Sequence, residues 1–175
     1  DDLAGRVLPG SEGVVEFLGP SRMDANSLGL KQGGIYFPVP VSHNEIGRGH
    51  LARAALEAIA YSVRSNLEQV EGQVGGPVTE IAVGGGMVQT STWIKVLTDV
   101  LGCPAAVSPT PNVSALGASL CAGVGLGEFR SLEETADSVS GRLNVIEPNA
   151  ANSAEYDDYY ARWTAMSSRL EEMPL

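Results

Sequence analysis

A run of three glycines, Gly84 to Gly86, follows a β-rich segment that ends at Val83 and precedes an amphipathic segment that begins near Ser91. Glycine lets a ligand lie against bare backbone, and the first N–H groups of a helix offer a positive pole to phosphate. The loop therefore has the composition of a nucleotide-binding loop. A tight strand-to-helix turn shows the same glycines, so a ligand site and a structural turn both stay open on spacing alone.

Two common phosphate-binding patterns do not fit this loop. The dinucleotide fingerprint would place glycine at positions 84, 86 and 89, but residue 89 is Gln. The P-loop requires Gly-Lys followed by Ser or Thr, which the sequence lacks. A dinucleotide-dependent oxidoreductase is therefore disfavoured.

Two pairs of opposite charges have the spacing of neighbours on a helix. Arg53 and Glu57 are four residues apart and are predicted to form a surface ion pair. Lys95 and Asp99 have the same spacing and are predicted to form a solvated pair, with a role for Asp99 near a cleft as the alternative.

The histidines and one asparagine have simple predicted roles. His43 and His50 lie in or next to a polar segment and are predicted to be exposed or to cap a helix, since their placement does not suggest a metal site. Asn112 or Ser114 is predicted to cap the helix that follows them, because their side-chain oxygens accept from the first N–H groups of a helix.

The elements that would position these residues can be read from turn signals and hydrophobic period. Short strands are predicted over residues 13–18 and 34–37, followed by a long amphipathic helix over residues 46–71 that Gly72 closes. The apolar face of that helix is predicted from a period near 3.6 in Leu51, Ala55, Ile59, Val63, Leu67 and Val70.

A buried strand over residues 79–83, a helix over 91–101, a strand over 105–107 and a helix over 115–124 are predicted next. Trp93 is expected to face inward. Beyond Gly127 the chain is predicted to be acidic and loop-like, with one late helix. Its aromatic residues, from Tyr156 to Trp163, are predicted to form core or a docking surface, with a base-stacking platform as the less favoured alternative.

This order predicts an α/β fold, a mixed sheet flanked by helices. It also suits a ribonuclease-H-like unit, although order alone does not choose that unit over other mixed sheets. At 175 residues the chain is predicted to be a single domain, with residues 128–175 as an acidic tail. The first residue is Asp, which favours a piece of a longer protein.

Composition restricts the partners and the compartment. The net charge is −10, of the wrong sign for binding nucleic acid, so no nucleic-acid partner is expected. No long apolar run or basic leader is present, so no membrane association is expected and the cytoplasm is the predicted location. Cys103 and Cys121 are predicted to be buried, reduced thiols.

Three motifs, in order along the chain, resemble those of FGGY carbohydrate kinases. The first is GIYFPV at residues 34–39 with HLARAALE at 50–57. The second is GGG at 84–86 with Trp93 and the DVLG of residues 99–102. The third is ALGAS at 115–119. Pro38, Lys95 and Asn112 depart from the usual glycine, glutamine and glutamate, and Thr90 stands at a usual serine. The resemblance covers roughly residues 8 to 165.

The resemblance implies the C-terminal, nucleotide-binding half of a two-domain kinase with an actin-like ATPase fold. It implies ATP and Mg²⁺ as cofactors, with the Mg²⁺ held mainly through the nucleotide and the other domain. The nucleotide-binding residues that it implies are Gly84, Gly85, Gly86, Met87, Thr90 and Asn112. An alanine at Gly85 is expected to block nucleotide with little damage to the fold.

The implied partners are the N-terminal domain of the same kinase, which would carry the catalytic base, and a sugar or polyol substrate. No catalytic residue is therefore expected within the 175 residues, and the chain alone is expected to be inactive. A homodimer is compatible with these features. A non-catalytic nucleotide-binding or interaction domain of the same fold is the alternative function.

Overall fold

A computed structural model describes residues 2–23, 33–40, 45–140 and 143–173. The strands are β1 (Val15–Phe17), β2 (Gly34–Tyr36), β3 (Ile81–Val83), β4 (Ala105–Val107) and β5 (Asn144–Ile146). The helices are α1 (Arg48–Val74), α2 (Ser91–Leu101), α3 (Val113–Gly125), α4 (Leu132–Ser140) and α5 (Ala150–Glu171). Single 3₁₀ turns span Ala4–Arg6, Ser11–Gly13 and Met87–Gln89.

The strands form two sheets. β1 and β2 pair antiparallel, while β4 lies between β3, which is parallel to it, and β5, which is antiparallel. The predicted mixed sheet flanked by helices is therefore confirmed. The prediction that β3 is buried is wrong, since Ala82 is exposed and its two neighbours in the strand are half-buried. β3 is one of the two edge strands of the described sheet, whereas β4 at the centre is buried throughout.

The segment beyond Gly127 was expected to be mostly loop, and this is wrong. It contains α4, the edge strand β5 and the 22-residue α5. The aromatic side chains of α5 belong to the core, as one of the predicted alternatives has it: Tyr156 and Trp163 are at most 2 % exposed. Trp163 stacks on Phe17 of β1, and its indole N–H donates to the Glu16 carbonyl.

Helix α1 extends beyond its predicted end. Gly72 continues the helix, which ends instead at Gly75, where φ is +76° and the backbone N–H donates to the Glu71 carbonyl. Only a residue without a Cβ takes this left-handed conformation without strain, so Gly75 is the natural stop.

The face of α1 that packs on the protein is not the predicted apolar face. The buried residues include Arg53, Glu57 and Tyr61, whereas Val63 and Val70 are 38 % and 49 % exposed. Hydrophobic period identifies apolar residues on a helix, but it cannot say which side the described chain covers.

Helix α2 has the predicted bounds, and Gly102 ends it in the left-handed conformation. Trp93, Ile94, Leu97 and Val100 are buried as predicted. α3 begins two residues earlier than predicted and has no buried residue. None of the helices within the described ranges is both long and apolar enough to cross a membrane.

Candidate functional site

The glycine loop leaves β3 and reaches α2 through one 3₁₀ turn, Met87–Gln89. The backbone N–H groups of Gly85 and Gly86 make no hydrogen bond to the described chain. Gly85 has a φ of +107°, which side chains rarely adopt, while Gly86 has an ordinary right-handed helical conformation. A Cβ added at either position would meet no protein atom within 4 Å.

These facts give the three glycines different roles. Gly84 is needed for packing, because a Cβ there would lie 2.7 Å from Val113 Cγ1 at the start of α3. Gly85 is needed for its backbone conformation. Gly86 is constrained by neither packing nor conformation within the described residues.

The close approach of Gly84 to Val113 brings the glycine loop to the start of α3. Asn112 stands at the N-cap position of α3, but its side chain makes no capping hydrogen bond and is exposed. Asn112 therefore occupies the predicted N-cap position, but the predicted hydrogen bond from its side chain is not formed. Thr90 is the N-cap residue of α2, is exposed and likewise makes no capping bond with its side chain.

Met87 completes the set predicted around the loop and is 49 % exposed. The glycine loop, the following 3₁₀ turn and the starts of α2 and α3 thus present free backbone N–H groups, an amide and a hydroxyl without capping bonds, and one exposed apolar side chain. Backbone N–H groups bind phosphate oxygens, and an exposed thioether suits the face of a nucleobase. This arrangement fits a nucleotide and contains no group placed to act as a base.

Arg53 and Glu57 form a buried pair, so the prediction of a surface pair is wrong. Their side chains are 9 % and 3 % exposed, and Arg53 Nε donates to Glu57 Oε1 over 3.0 Å. Glu57 also accepts from the Gly10 N–H and from the Ser11 and Tyr156 hydroxyls. The four donors satisfy the carboxylate, which makes its burial tolerable.

This network perturbs its members and ties three segments together. The pKa of Arg53 lies above its ordinary value although burial acts to lower it, because Tyr156 and Glu57 favour the charged guanidinium more strongly. The pKa of Tyr156 is raised chiefly by burial and then by the Glu57 charge. The network joins the 3₁₀ turn at Ser11–Gly13, α1 and α5, which is a structural role.

Lys95 and Asp99 do not form the predicted pair. Asp99 is 6 % exposed and accepts from the Asn149 N–H and from Asn152 Nδ2, both over 2.7 Å. These hydrogen bonds stabilise the buried Asp99 carboxylate, and so does the helix dipole, because the carboxylate lies at the N-terminus of α5. Asp99 therefore anchors α5, and Lys95 is exposed.

His50 confirms its predicted capping role, because its Nδ1 accepts from the Gly47 N–H over 3.0 Å. His43 lies outside the described residues. Cys103 is buried as predicted, but Cys121 is exposed on α3, because the described chain covers no part of that helix fully.

Sequence reasoning missed Glu16, a carboxyl group in the middle of β1 that is 4 % exposed. Burial raises its pKa, and it forms neither a hydrogen bond nor an ion pair within the described residues through its side chain. A charged residue in a strand flanked by apolar residues is the only signal in the sequence, and such a residue more often faces solvent.

The chain thus has a mixed α/β fold with a glycine loop between an edge strand and a helix. Solved structures of sugar kinases share this fold. Xylulose kinase from Rhodospirillum rubrum matches with a TM-score of 0.72 and 26 % identity over 96 % of this chain and 33 % of its own. Plasmodium falciparum glycerol kinase with ADP matches with a TM-score of 0.74 and 20 % identity over 99 % and 33 %.

Residues 29–126 match the family described as the FGGY family of carbohydrate kinases, C-terminal domain. The chain belongs to this family, as the three sequence motifs indicated. Glycerol kinase from Paenarthrobacter aurescens is 40 % identical over 87 residues, which are 50 % of this chain and 17 % of that protein. The chain spans about a third of the length of the solved relatives.

Proposed function

We propose that this chain is the nucleotide-binding part of an ATP-dependent kinase that phosphorylates a hydroxyl group of a sugar or polyol. The observation that carries the proposal is Gly86. Its conformation and its surroundings both tolerate a side chain, yet it is a glycine beside the free N–H groups of a loop at the edge of the sheet. Clearance for a bound nucleotide accounts for this.

In the proposed complex the N–H groups of Gly85 and Gly86 donate to phosphate oxygens of ATP. Thr90 and Asn112 offer hydrogen bonds to the nucleotide, and Met87 offers an apolar surface to the base. Gly84 contributes indirectly, because it lets the loop approach α3. Mg²⁺, when bound, would neutralise charge on the transferred phosphoryl group; we assign its ligands to the nucleotide and to the part of the enzyme outside this chain.

The remaining parts of the reaction are proposed to lie on a second, N-terminal domain. The relatives are glycerol, xylulose and gluconate kinases three times as long as this chain, which supports a protein of two domains with a cleft between them. That domain would bind the sugar or polyol and supply the base that removes the proton from its hydroxyl group. The 175 residues alone should therefore show no sugar-dependent turnover of ATP. We propose the cytoplasm as the compartment, where Cys103 and Cys121 stay reduced.

The test is ATP turnover by the polypeptide as its gene encodes it, with glycerol, xylulose and gluconate as separate acceptors. Turnover that depends on one acceptor, with a Michaelis constant for ATP that rises at least about tenfold in the Gly86→Ala variant, supports the proposal. Nucleotide binding without turnover for any sugar or polyol would favour the non-catalytic nucleotide-binding domain instead. Absence of both binding and turnover would overturn the assignment of the loop.

A further inference from the structure

A cavity of about 220 Å³ lies between β1, α1 and α5, and it shares no residue with the glycine loop. Its walls are mainly apolar and come from Val15, Ala54, Ala58, Trp163 and Met166. Such a volume suits one small molecule, since an engineered cavity of about 150 Å³ in another protein holds benzene. The cavity is therefore large enough for a substituted aromatic ring.

One buried hydroxyl group at this cavity has no hydrogen-bond partner. Tyr61 lines the cavity, is 5 % exposed and packs its ring against Tyr160 and Trp163. Its hydroxyl forms no hydrogen bond within the described residues. Ser153 and Ser167 are the described residues whose hydroxyls are both unpaired and closed off from open space, and Tyr61 is not one of them. Buried hydroxyls normally have a partner, and here the cavity can supply the missing one.

The walls of the cavity are held in place by contacts outside it. One wall is the turn Gly10–Gly13, in which all four residues have positive φ, including Ser11 and Glu12 at +49° and +50°. This conformation is strained for residues with a side chain. The Glu57 carboxylate holds the turn by accepting from its first N–H and from the Ser11 hydroxyl. The Trp163 indole forms another wall and is fixed by its stacking on β1 and its N–H bond to the same strand. Walls fixed in this way keep the cavity open.

The charged residues around the cavity do not favour a charged ligand. The Glu57 carboxylate already accepts four hydrogen bonds, one of them from the Arg53 guanidinium. Arg162 is exposed, so water can solvate its charge. Glu16 follows Val15 in β1, and alternation along a strand turns its side chain to the opposite face of the strand. A charged molecule would therefore lose its hydration among apolar walls without gaining a buried counter-charge.

We propose that this cavity binds a small uncharged molecule with an aromatic body and one hydrogen-bond acceptor. The aromatic body lies against Trp163 and the Met166 thioether, because aromatic rings attract both groups. The Tyr61 hydroxyl donates to the acceptor. Burial raises the pKa of Tyr61 far above its ordinary value, so the hydroxyl keeps the proton that it donates. This site lies beyond the proposed nucleotide site and does not depend on the kinase function.

The experiment follows isotope-labelled methionine methyl groups by NMR in the polypeptide as its gene encodes it, with acetophenone as the probe. Acetophenone carries a carbonyl acceptor on a benzene ring, and ethylbenzene has nearly the same shape without the acceptor. Met166 lines the cavity and Met87 follows the glycine loop, so their signals, assigned with Met166→Leu and Met87→Leu, report on the two sites separately. Tyr61→Phe removes the hydroxyl under test. Tyr160→Phe is the matched control, because the Tyr160 hydroxyl donates to Glu68 and does not line the cavity.

We expect acetophenone to shift the Met166 signal saturably and to leave the Met87 signal in place, with a dissociation constant of about 1 mM or below. Tyr61→Phe should weaken the binding of acetophenone at least about threefold, without weakening that of ethylbenzene. Its melting midpoint should not fall, because no hydrogen bond within the described chain is lost. Tyr160→Phe should leave the affinity for acetophenone unchanged.

An unmoved Met166 signal would show that the cavity takes no such molecule and would overturn the proposal. A shift of the Met87 signal alone would place the probe at the glycine loop and overturn it too. Equal affinity of the native and Tyr61→Phe proteins for acetophenone would remove the hydroxyl from the site. A large fall in the midpoint of Tyr61→Phe would show that the hydroxyl already has a partner, and either of these last two results overturns the proposal.

Discussion

Alanine at each position of the glycine loop separates the roles that the structure gives to the three glycines. In Gly86→Ala the new methyl group has an allowed backbone conformation and no protein atom within 4 Å, so folding should not suffer. The methyl group would instead occupy the space assigned to nucleotide. We expect the dissociation constant for ATP to rise at least about tenfold, which is roughly 1.4 kcal/mol, with a melting midpoint unchanged or slightly raised.

The two neighbours provide the comparison. Gly85→Ala would force a side chain into φ of +107°, at a cost of about 1–3 kcal/mol. Gly84→Ala would press on Val113 at the start of α3 and should cost about 1–3 kcal/mol by overpacking. In a domain of this size each kcal/mol corresponds to a midpoint change of about 2–4 °C. The expectation that Gly85→Ala leaves the fold intact is therefore replaced, and Gly86→Ala is the informative variant.

The assay is titration calorimetry with ATP and Mg²⁺, beside thermal unfolding followed by circular dichroism. A Gly86→Ala protein that binds ATP with unchanged affinity would refute the role given to the open space. A large fall in its midpoint would refute the claim that the fold does not need this glycine.

Four further predictions concern stability and are measured by denaturant titration. Trp93→Ala should cost about 3–5 kcal/mol because the side chain is 5 % exposed in the core, and a loss below about 1 kcal/mol would contradict the packing of α2. Asp99→Ala should cost about 1.5–3 kcal/mol because two buried donors lose their acceptor. Its control, Lys95→Ala, should change the free energy of unfolding by less than about 0.5 kcal/mol. Equal losses in the two variants would indicate that Lys95 and Asp99 form an ion pair after all. Glu57→Gln should cost about 3–5 kcal/mol because it leaves a buried guanidinium uncompensated, and a neutral result would mean that the network is hydrated. Burial raises the pKa of Glu16 in the folded protein above its ordinary value of 4.5. The contribution of the protonated carboxyl group to stability is therefore fully present below the unfolded-state pKa and is lost as the pH rises through the folded-state pKa. Glu16→Gln should increase the free energy of unfolding at pH 7 and lose this advantage near pH 4, whereas a gain that is independent of pH would contradict the burial of an ionisable Glu16.

The sequence predicted elements best where local signals and tertiary packing agree. Helix α2 has an uninterrupted apolar face and a glycine at its end, and its bounds are as predicted. β5 was missed because three residues, Asn144–Ile146, carry too little pattern, and the strand is defined by pairing with β4 from a distant part of the chain.

Polar residues in the core were harder to predict. Arg53 and Glu57 have the spacing of a surface ion pair, and their burial depends on donors supplied by Gly10, Ser11 and Tyr156, far away in sequence. The burial of Asp99 likewise depends on the start of α5. No local pattern contains such information.

The candidate site was predicted as a set of residue types, but its geometry was not. Three glycines look equivalent in a sequence, while the structure separates Gly84 by its contact with α3, Gly85 by its φ and Gly86 by open space. The proximity of the loop to α3 depends on tertiary packing at Val113. The nucleotide contacts of Met87, Thr90 and Asn112 stay predictions.

The central claim, that the glycine loop and the start of α3 bind ATP, is tested most directly by amide hydrogen exchange of the native polypeptide with and without saturating ADP and Mg²⁺. The account predicts slower exchange, by at least about tenfold, in peptides that contain Gly85 and Gly86 and in the peptide that contains Asn112, with no change in α5. Protection confined to other segments, with the exchange of the glycine loop unaltered by nucleotide, would contradict it.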